Sequence, residues 1–538
     1  MNPEKIVELL LSKRNITDTA LFLHPPHPIT FSLNSLGFES ELQILLSTLK
    51  MCKEKNKKVV VYTDYDADGI TGGSVLWETL HILGFDVFPY VPHRQNEGYG
   101  FSIKGIDVIV EKYHPGLIIS VDHGISAREQ IQYAKERGVP VIVTDHHTKP
   151  EKLPDAALAL IHCPLVSGSG LAYITALDIW RAFDNSNTLL KTYFTYDFCA
   201  LASLGTVADL VPLVGYSRSI AKYGLAAFIR ATKPGIRELL SVSGLLDTEI
   251  SSYHAGFALA PRINAVGRLS HAIEAVRMFC TKDEAKAKRL ASEAQGFNLS
   301  RQKMVDIAVE EAFIEIEKKE VPLLIIEKNP TWNEGIIGLI SSKITDRYRR
   351  PSIVMTKTDE GWKASARSVK AFDIIAFLRS LNMLKHVGGH PQAAGFSLTD
   401  EELSVFEKKI NERMSEVPQP VDKELHVDLD LALSDITEKL ADALKGLAPF
   451  GIGNPTPVFQ SRAKILFVNT MGKTKQHIKF VGQDLEKKTH QLECIYFSPS
   501  EAQKKLLNAG NTVSIMYTIE TSYWQGRKQL KCFVKAVK

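Results

Sequence analysis

Short apolar runs alternate with amphipathic stretches over the first part of the chain. Runs rich in Val and Ile occur at "VVVYT" (59–63), "DVFPYV" (86–91), "GLIISV" (116–121) and "PVIVT" (140–144). Between them the apolar positions take on helical spacing, as in "SAREQIQYAKERG" (126–138), which ends at Gly138. This alternation of strands and helices predicts a parallel sheet with helices on both faces.

The pattern changes in the rest of the chain. Residues 216–319 are mostly helical, and the charged stretch at 281–320 predicts one long helix or a helix pair, with Gly296 as its weak point. A second α/β pattern opens with the strand-like "VPLLIIEK" (321–328). From about residue 424 strands dominate, and the alternation in "NTVSIMYTIETSYW" predicts a small closed barrel.

These patterns predict an α/β protein made of several parts. A parallel-sheet lobe is joined by a long helix to a smaller α/β lobe, and a β-barrel follows. The predicted boundaries are an N-terminal helical region at 1–49, the first lobe at 50–215, a helical region with the connecting helix at 216–319, the second lobe at 320–416 and the barrel at 424–538.

Composition excludes several classes of protein. No apolar run approaches the roughly 20 residues that a membrane-spanning helix needs, and the amphipathic N-terminus lacks the apolar core of a signal peptide. The six cysteines are scattered without a C-x-x-C pair, which argues against a disulfide framework or a zinc knuckle. We therefore expect a cytoplasmic protein with reduced thiols and no membrane contact.

Positive charge is concentrated near the C-terminus. Residues 461–538 contain 14 Lys or Arg and 5 Asp or Glu, an excess of nine positive charges in a chain whose net charge is +4. The other 460 residues therefore carry a net charge of −5. A basic segment on a near-neutral body indicates either a polyanionic partner or a solubilising charged face.

Acidic and imidazole side chains follow three of the predicted strands. Because ligands bind at the carboxyl ends of the strands of an open parallel sheet, we expect these side chains to converge at one edge. They occur in "DYDADG" (64–69), "VDHG" (121–124) and "VTDHH" (143–147), and a further carboxylate, Asp209, occurs in "GTVADLVPL" (205–213). Any one of them alone would more often cap a helix or form a turn.

Together these side chains predict a metal centre. Hard oxygens mixed with imidazole suit Mn²⁺ or Mg²⁺ better than thiol-preferring metals. The number of ligands suggests two ions, which would activate water and hold a phosphoryl group for in-line attack. The spacing Asp64, Asp66, Asp68 also resembles a calcium-binding loop, but the twelfth position is Val75 rather than Glu.

The order of these motifs resembles the DHH phosphoesterase family, named for its Asp-His-His motif. Further matches indicate the RecJ type, the single-strand-specific 5′→3′ exonucleases. They include "PHRQNEGYGFS" (92–102), "LAPRINAVGRL" (259–269), "NEGIIGLISSKITDRYRRPSIV" (333–354), "GGHPQAAGFSL" (388–398) and "PFGIGNPTPVF" (449–459). The resemblance covers nearly all of residues 50–538. It implies that the first lobe is a DHH domain, the second a DHHA1 domain and the barrel an OB-fold.

The resemblance also implies roles for the strand-end residues. The implied metal ligands, for two ions of Mn²⁺ or Mg²⁺, are Asp66, Asp68, Asp122, His146 and Asp209, with Asp122 bridging the ions. Asp64 would bind metal or orient a water, and His147 would stand beside the reacting phosphate. Asp145 would orient an imidazole or cap the turn, and His123 is not expected to be a ligand.

Other residues are implied contacts of the nucleic acid. Arg94 would bind the terminal 5′-phosphate, while Arg268, Arg367 and His390 would line the nucleotide path. The alternatives are a surface position for Arg94, a structural ion pair for Arg268 and a packed core position for His390. The chain departs from the family at Asn333, where His is common, which puts any catalytic role of that position in doubt, and at Ala366, where glycine is common.

An OB-fold binds single strands with a basic groove and stacking aromatic side chains. The candidate stacking residues are Tyr523 and Trp524, and their alternative is packing on the barrel itself. The candidate phosphate contacts are Lys473, Lys475, Lys479, Arg527 and Lys528.

These inferences predict a metal-dependent exonuclease that hydrolyses single-stranded DNA from its 5′ end and releases 5′-mononucleotides, in DNA repair and recombination. Two alternatives remain: a DHH-family phosphodiesterase of short oligonucleotides or cyclic dinucleotides, and a non-catalytic single-strand-binding scaffold. We expect a monomer, with a single-strand-binding protein or a helicase as candidate protein partners.

Overall fold

A computed structural model of the 538-residue chain describes residues 2–94, 97–98, 100–384, 387–420, 425–472, 475–524 and 527–538, without the side chains of 522–524 and 527–528. The chain forms two compact units. The first consists of Met1–Ala260, Phe279–Glu284 and Glu424–Lys538, and the second of Pro261–Met278 and Ala285–Lys423.

Helices and strands occur throughout the described residues. The helices are α1 (Pro3–Lys13), α2 (Thr19–Leu23), α3 (Glu39–Glu54), α4 (Ala67–Ile82), α5 (Ile103–Tyr113), α6 (Arg128–Glu136), α7 (Gly168–Asp184), α8 (Thr188–Thr195), α9 (Asp197–Ala208), α10 (Gly215–Ala227), α11 (Pro234–Val242), α12 (Ala260–Leu269), α13 (Ile273–Cys280), α14 (Glu284–Ile316), α15 (Ile337–Tyr348), α16 (Ile374–Ser380), α17 (Asp400–Glu412), α18 (Glu438–Lys445) and α19 (Glu501–Leu506). The strands are β1 (Val59–Thr63), β2 (Val87–Tyr90), β3 (Leu117–Val121), β4 (Val141–Asp145), β5 (Ala159–His162), β6 (Ile325–Lys328), β7 (Ser352–Thr358), β8 (Gly361–Arg367), β9 (Val387–His390), β10 (Ala393–Leu398), β11 (Leu429–Asp430), β12 (Phe459–Met471), β13 (His477–Gln483), β14 (Gln491–Tyr496), β15 (Thr512–Trp524) and β16 (Arg527–Val537).

The first unit contains the predicted parallel sheet, with strand order β2-β1-β3-β4-β5 and every pairing parallel. Strands β1, β3 and β4 are buried along their whole length. Continuous apolar runs of this kind are expected where helices cover both faces of a sheet. The sequence did not predict β5, which is only four residues long and carries a half-buried Leu160.

Helix α4 follows β1 and is buried along most of its length. It packs against α7 and α9, and three glycines make close packing around it possible. A Cβ atom at Gly72 would lie 2.8 Å from the Cα of Ser169, and one at Gly73 would lie 2.8 Å from Cβ of Thr63. A Cβ atom at Gly205 of α9 would lie 2.4 Å from Oδ1 of Asp68. The start of α4 is therefore held tightly at the end of β1.

The N-terminal segment packs on the barrel as well as on the parallel-sheet lobe. Ile6, Leu10 and Phe22 share one hydrophobic core with barrel residues that include Phe459. The fully buried Arg218 of α10 links these parts, since it donates to the backbone carbonyls of Phe22, Leu447 and Ala448. Its desolvation lowers the pKa of Arg218 to about 10. The parallel-sheet lobe, N-terminal segment and barrel thus form one packed unit.

The second unit contains the long helix and a mixed sheet. Helix α14 runs without a break for 33 residues and passes through Gly296, so the sequence's single-helix alternative is the correct one. The sheet order is β6-β7-β8-β10-β9, in which only β6 and β7 pair in parallel. Helix α15 packs on β7 and β8, as expected for an α/β lobe.

The C-terminal strands close into a barrel, as predicted. Strands β12, β13, β14, β16 and β15 pair in that order, and β15 pairs back with β12. Strand β11 adds to β12 in parallel. Among the described helices of the whole chain, none combines the length and the apolar character that crossing a bilayer requires.

Candidate active site

The carboxyl ends of three neighbouring strands bring the acidic and imidazole side chains together. Asp64 follows β1 directly, Asp122 follows β3, and β4 ends in Asp145, which His146 and His147 follow. Their carboxylate and ring atoms form three groups, and within each group the ligand atoms all lie within 4.8 Å of one another. Two of these groups are Asp64, Asp66 and Asp122, and Asp68, His146 and Asp209, the last of which lies at the end of α9.

Asp122 and His146 connect the two groups. Nε2 of His146 lies 3.1 Å from Oδ1 of Asp122 and 3.3 Å from Oδ2 of Asp209. This buried nitrogen makes no hydrogen bond with the described residues. Asp122, His146 and His147 also form a group of their own within the same distance limit. Asp122 is therefore the carboxylate that is shared between neighbouring sets of ligand atoms.

Two helix N-termini position the aspartates of the first motif. Asp66 caps α4, and its Oδ1 accepts hydrogen bonds from the backbone N–H groups of Asp68 and Gly69 at 2.9 and 3.1 Å. Asp68 accepts from Gly168 N–H at 2.7 Å and from Ser169 N–H at 3.0 Å, at the start of α7. Helix N-termini favour negative charge, so both helices help to gather carboxylates that repel one another.

Asp122 lies in a backbone conformation that few residues adopt. Its φ angle is +69°, a left-handed value that Asp and Asn tolerate better than other non-glycine residues. The side chain faces the start of α7, where a Cβ atom at Gly168 would lie 2.4 Å from Cβ and Oδ1 of Asp122. A glycine is therefore required at position 168 by the close approach of this carboxylate.

We expect Gly168→Ala to lower both stability and activity. The added methyl must displace Asp122 or α7, an overpacking that costs about 1–3 kcal/mol. A shift of about 1 Å at a catalytic group can lower the rate on the order of 100-fold. The measurement is the melting temperature together with the rate of phosphodiester cleavage. Gly296→Ala is the matched control, because no atom lies within 4 Å of its added Cβ and it should be neutral or slightly stabilising.

Asp145 orients the two histidines that follow it. Its Oδ1 accepts from the backbone N–H groups of His146 and His147 at 2.7 and 3.0 Å, and it lies 2.7 Å from Nδ1 of His147. Burial alone would lower the pKa of His147, but the hydrogen bond and the charge of Asp145 raise it to about 9. The same contact lowers the pKa of Asp145, against the effect of its burial. The raised pKa of His147 favours the protonated ring at neutral pH in the metal-free protein.

Two further histidines lie beside this motif. Nε2 of His162, at the end of β5, lies 2.6 Å from the backbone oxygen of His147. Nε2 of His123 lies 3.0 Å from the backbone oxygen of Tyr62, and burial lowers the pKa of His123 to about 4. Neither residue belongs to the groups of candidate ligands among the described residues.

The arrangement of carboxylates in the cluster favours a bound cation. Burial, followed by the neighbouring carboxylates, raises the pKa of Asp64 and Asp122 well above their ordinary value and raises the pKa of Asp209 to about 8. Oδ1 of Asp64 is buried and accepts no hydrogen bond from the described residues. A buried carboxylate oxygen without a donor, among others of the same charge, fits a divalent metal ligand set.

The metal-free protein should therefore lose stability as the pH rises from 6.5 to 9. The raised pKa of Asp209, about 8, and of His147, about 9, mean that the folded state holds protons that the unfolded state releases in this range. That stabilisation is lost as the pH passes through the folded-state pKa values. The measurement is the melting temperature in EDTA across this pH range. In the variant Asp209→Asn the melting temperature should fall less as the pH rises. A melting temperature that stays level in the wild type would contradict this interpretation.

Arg94 lies near the metal ligands. Its guanidinium carbon lies 4.9 Å from the centre of the Tyr65 ring, and its charge lowers the pKa of Asp64 against the larger effect of burial. Arg94 and the aromatic ring next to Asp64 thus form a cationic edge to the candidate site. Arg94 is therefore not a surface arginine remote from the site.

In the second unit, Arg268 and Arg367 lie near the turn that begins α15. Arg268 donates to the backbone oxygen of Gly335 at 2.7 Å, and a Cβ atom at Gly338 would lie 3.0 Å from Nη2 of Arg367. Asn333 forms the same turn, because its Oδ1 accepts from Gly335 N–H at 2.8 Å. Two guanidinium groups beside a helix N-terminus can bind an anion. The side chain of Asn333 therefore has a local backbone partner, and as an amide it does not titrate.

The other residues predicted to contact the nucleic acid differ in exposure and in their partners. His390 ends β9 and is exposed, so it is not a packed core histidine. Lys475 is exposed beside β13, and Lys479 makes an ion pair with Glu493 at 2.5 Å. Lys473 lies outside the described residues, as do the side chains of Tyr523, Trp524, Arg527 and Lys528, whose backbone belongs to β15 and β16.

Sequence reasoning missed the residues that support the carboxylates through packing. Gly168, Ser169 and Gly205 surround Asp68 and Asp122, and His162 contacts the backbone of His147. The only sequence signal for the first two was the small-residue run "SGSG" (167–170), which sits at the start of a helix. Its contact with the first motif, about 100 residues away, depends on the tertiary structure.

Comparisons with known proteins agree with this architecture. The DHH family, N-terminal domain, matches residues 58–205, the DHHA1 domain matches 320–416 and the RecJ OB domain matches 427–536. Single-stranded-DNA-specific exonuclease RecJ of Bacillus subtilis is 34% identical over an alignment of 542 residues that covers 98% of this chain and 67% of the relative.

Solved structures show the same relationship. The crystal structure of exonuclease RecJ bound to manganese is 30% identical, covers 71% of this chain and 96% of its own, and has a TM-score of 0.61. RecJ in complex with Mn²⁺ from Thermus thermophilus covers 99% of this chain and 76% of its own, with a TM-score of 0.83. Because its sequence identity is 24%, the Thermus thermophilus structure supports the fold alone.

The fold and the strand-end ligands thus define a DHH-type, metal-dependent phosphoesterase. The chain belongs to the RecJ family.

Proposed function

We propose that this protein is an exonuclease that hydrolyses single-stranded DNA from its 5′ end and releases 5′-mononucleotides, in DNA repair and recombination. The observation that carries the proposal is the convergence of carboxylates and His146 at one sheet edge, in a chain of the RecJ family. The RecJ OB domain at residues 427–536 supports a single-stranded nucleic acid as substrate.

The ligand set supports two ions of Mn²⁺ or Mg²⁺. Carboxylate oxygens, joined in two groups by the imidazole of His146, suit these metals, and the 30% identical RecJ structure is bound to manganese. When bound, such a pair neutralises the carboxylates, lowers the pKa of a water and stabilises charge on the phosphodiester. The residues that would hold the ions are Asp66, Asp68, Asp122, His146 and Asp209, with Asp64 as a ligand or as the group that orients the water.

The protein's own groups would prepare the substrate for attack. Protonated His147, fixed by Asp145 through Nδ1, can place its Nε2–H against a phosphate oxygen. Arg94 at the edge of the site is our candidate for the terminal 5′-phosphate, because a guanidinium group binds phosphate oxygens in pairs. For Arg268, Arg367 and His390 of the second unit we propose contacts with the nucleotide path.

The test uses single-stranded DNA labelled at its 3′ end. Progressive shortening of the labelled strand in Mn²⁺ or Mg²⁺, and its loss in EDTA, is the expected result. A duplex of the same sequence and a substrate of two to five nucleotides run alongside. Cleavage restricted to the short substrate would favour a phosphodiesterase of short oligonucleotides instead. Binding without cleavage in every metal would favour a scaffold.

We also propose a cytoplasmic monomer that acts with a single-strand-binding protein or a helicase. The described cysteines are all free, and most are buried, which suits a reducing compartment. An exonuclease of single strands depends on other proteins to expose the strand, which supports partners of this kind. Sedimentation of the purified protein and pull-down with each candidate partner would test these points.

A further inference from the structure

One glutamate holds the backbone beside Arg94. The backbone N–H of Glu97 donates to the backbone oxygen of His93 at 2.8 Å. The side chain of the same residue returns the contact, because Oε1 of Glu97 accepts from the backbone N–H of His93 at 2.8 Å. Arg94 follows His93 directly. The direction in which the Arg94 side chain leaves the backbone therefore depends on the carboxylate of Glu97.

The other oxygen of Glu97 ties this segment to the parallel sheet. Oε2 accepts a hydrogen bond at 2.6 Å from the hydroxyl of Tyr90, the last residue of β2. Burial, followed by the hydrogen bond to Glu97, raises the pKa of Tyr90, so the phenol remains a donor at neutral pH. Each carboxylate oxygen thus has a defined donor, and hydrogen bonds to a charged acceptor are stronger than neutral ones.

A tyrosine of the neighbouring strand holds the same segment further along. The hydroxyl of Tyr62, on β1, donates to the backbone oxygen of Gly100 at 3.0 Å. The rings of Tyr62 and Tyr90 pack edge to face with their centroids 4.8 Å apart. Tyr62 stands two residues before Asp64. The segment that carries Arg94 is therefore fastened to β1 and β2 close to the start of the first metal motif.

Helix α5 packs closely against this network. A Cβ atom at Gly105 would lie 2.7 Å from Oε2 of Glu97 and 2.7 Å from the hydroxyl oxygen of Tyr62. Tyr62 is fully buried, and Glu97 and Tyr90 are half-buried. A carboxylate that is enclosed in this way and bonded through both oxygens has a fixed position, unlike a glutamate on an open surface.

We infer that Glu97 is a positioning residue that fixes the guanidinium of Arg94 relative to the metal ligands and thereby determines how strongly the enzyme selects a 5′-phosphorylated end. This inference rests on the proposed exonuclease function and on the role proposed there for Arg94. The guanidinium carbon of Arg94 lies 4.9 Å from the ring centre of Tyr65, the residue after Asp64. A shift of the Arg94 backbone would therefore move the guanidinium away from that ligand.

The charge of Glu97 and its positioning role have opposite consequences. A carboxylate near a phosphate-binding arginine repels the phosphate, so its removal would strengthen binding of a 5′-phosphate if charge alone mattered. If Glu97 positions Arg94, its removal weakens that binding, because a misplacement of about 1 Å can cost on the order of 100-fold. The direction of the change separates the two roles.

The experiment compares Glu97→Gln and Glu97→Ala with the wild type on two strands of one sequence, which end in a 5′-phosphate or a 5′-hydroxyl. The readout is the ratio of their kcat/KM values in Mn²⁺. Only the first cleavage is scored, because release of a 5′-mononucleotide leaves a 5′-phosphate on the shortened strand. Both variants should lower the ratio roughly 3- to 30-fold, mainly through KM on the phosphorylated strand. Arg94→Ala should lower it at least as far.

A merely structural role of Glu97 would lower cleavage of both strands equally and leave the ratio unchanged. Gly105→Ala keeps every polar group, but its added methyl must displace the Glu97 carboxylate or the Tyr62 hydroxyl, so it should also lower the ratio. Glu111→Gln is the matched control, because Glu111 is an exposed glutamate of α5. An unchanged or increased ratio in both Glu97 variants, or an equal loss with Glu111→Gln, would overturn the inference.

The two proposals fail in different ways. Binding of both strands is also measured in EDTA by fluorescence anisotropy, which reports the effect of the 5′-phosphate without cleavage. If no strand is cleaved in any metal, the exonuclease proposal fails, and a binding preference for the 5′-phosphate that Glu97→Ala removes would still support the positioning role. If cleavage is intact but the wild type does not distinguish the two ends, or Arg94→Ala leaves the ratio unchanged, the inference about Glu97 fails alone. Absence of both cleavage and preference would overturn both.

Discussion

Asp122→Asn should lower the rate of single-strand cleavage on the order of 1,000-fold or more. Asp122 is the carboxylate shared between the sets of candidate ligands, and an amide removes the charge that would hold two ions. Loss of metal-ion stabilisation worth several kcal/mol corresponds to about that factor in rate. Asn also tolerates the left-handed backbone of this position, so the substitution should not strain the turn. The measurement is single-turnover degradation of a 3′-labelled strand with saturating Mn²⁺.

The same variant should not be destabilised in EDTA. Burial and the neighbouring carboxylates raise the pKa of Asp122, so removing its charge relieves repulsion in the metal-free protein. We expect an equal or higher melting temperature without metal, and a smaller rise on adding Mn²⁺. Asp155→Asn is the matched control, because Asp155 is 75% exposed and pairs with Arg128 at the surface. Full activity of Asp122→Asn would refute the shared-ligand assignment.

Lys233→Met should be among the most destabilising single changes in the first unit. Nζ of Lys233 lies 2.6 Å from Oε1 of Glu78, and the two side chains are 1% and 3% exposed. Removing one partner of a buried ion pair leaves an uncompensated charge and costs about 3–5 kcal/mol. Glu78 lies on α4, whose N-terminus holds Asp66 and Asp68, so this pair anchors the helix that positions the first motif. The measurement is the midpoint of thermal and urea unfolding.

The double variant Glu78→Gln with Lys233→Met tests whether the loss comes from the unpaired charge. It should recover much of the stability, since replacing both partners of a buried pair is often close to neutral. Arg289→Ala is the control for an ordinary ion pair, because Arg289 and Glu293 are 58% and 43% exposed and should contribute less than about 1 kcal/mol. Equal shifts for Lys233→Met and Arg289→Ala would contradict the importance of the buried pair.

Much of the fold was accessible from local patterns. The Val- and Ile-rich runs became β1, β2, β3 and β4 within one or two residues of the predicted bounds, and the alternating C-terminal segment became the closed barrel. Buried parallel strands and half-buried barrel strands leave periodic signals that do not depend on distant contacts. The strand β5 and the mixed pairing of the second sheet left no such signal, because short strands and the direction of pairing are decided by neighbours in space.

Convergence of the ligand residues also followed from the sequence. Carboxyl ends of adjacent parallel strands meet at one edge, so residues that follow β1, β3 and β4 had to lie close together. The order of the motifs was enough to indicate the RecJ type, which the comparisons confirmed.

Only the tertiary structure decided what surrounds and supports those residues. The contact of Gly168 with Asp122 and the buried pair of Glu78 and Lys233 join residues that are 46 and 155 positions apart in the chain. Such contacts arise from the docking of helices on the first lobe, and no periodicity in either segment encodes the partner. The sequence therefore determined the chemistry and the sheet edge that carries it, while packing decided the geometry of the ligands and the groups that support them.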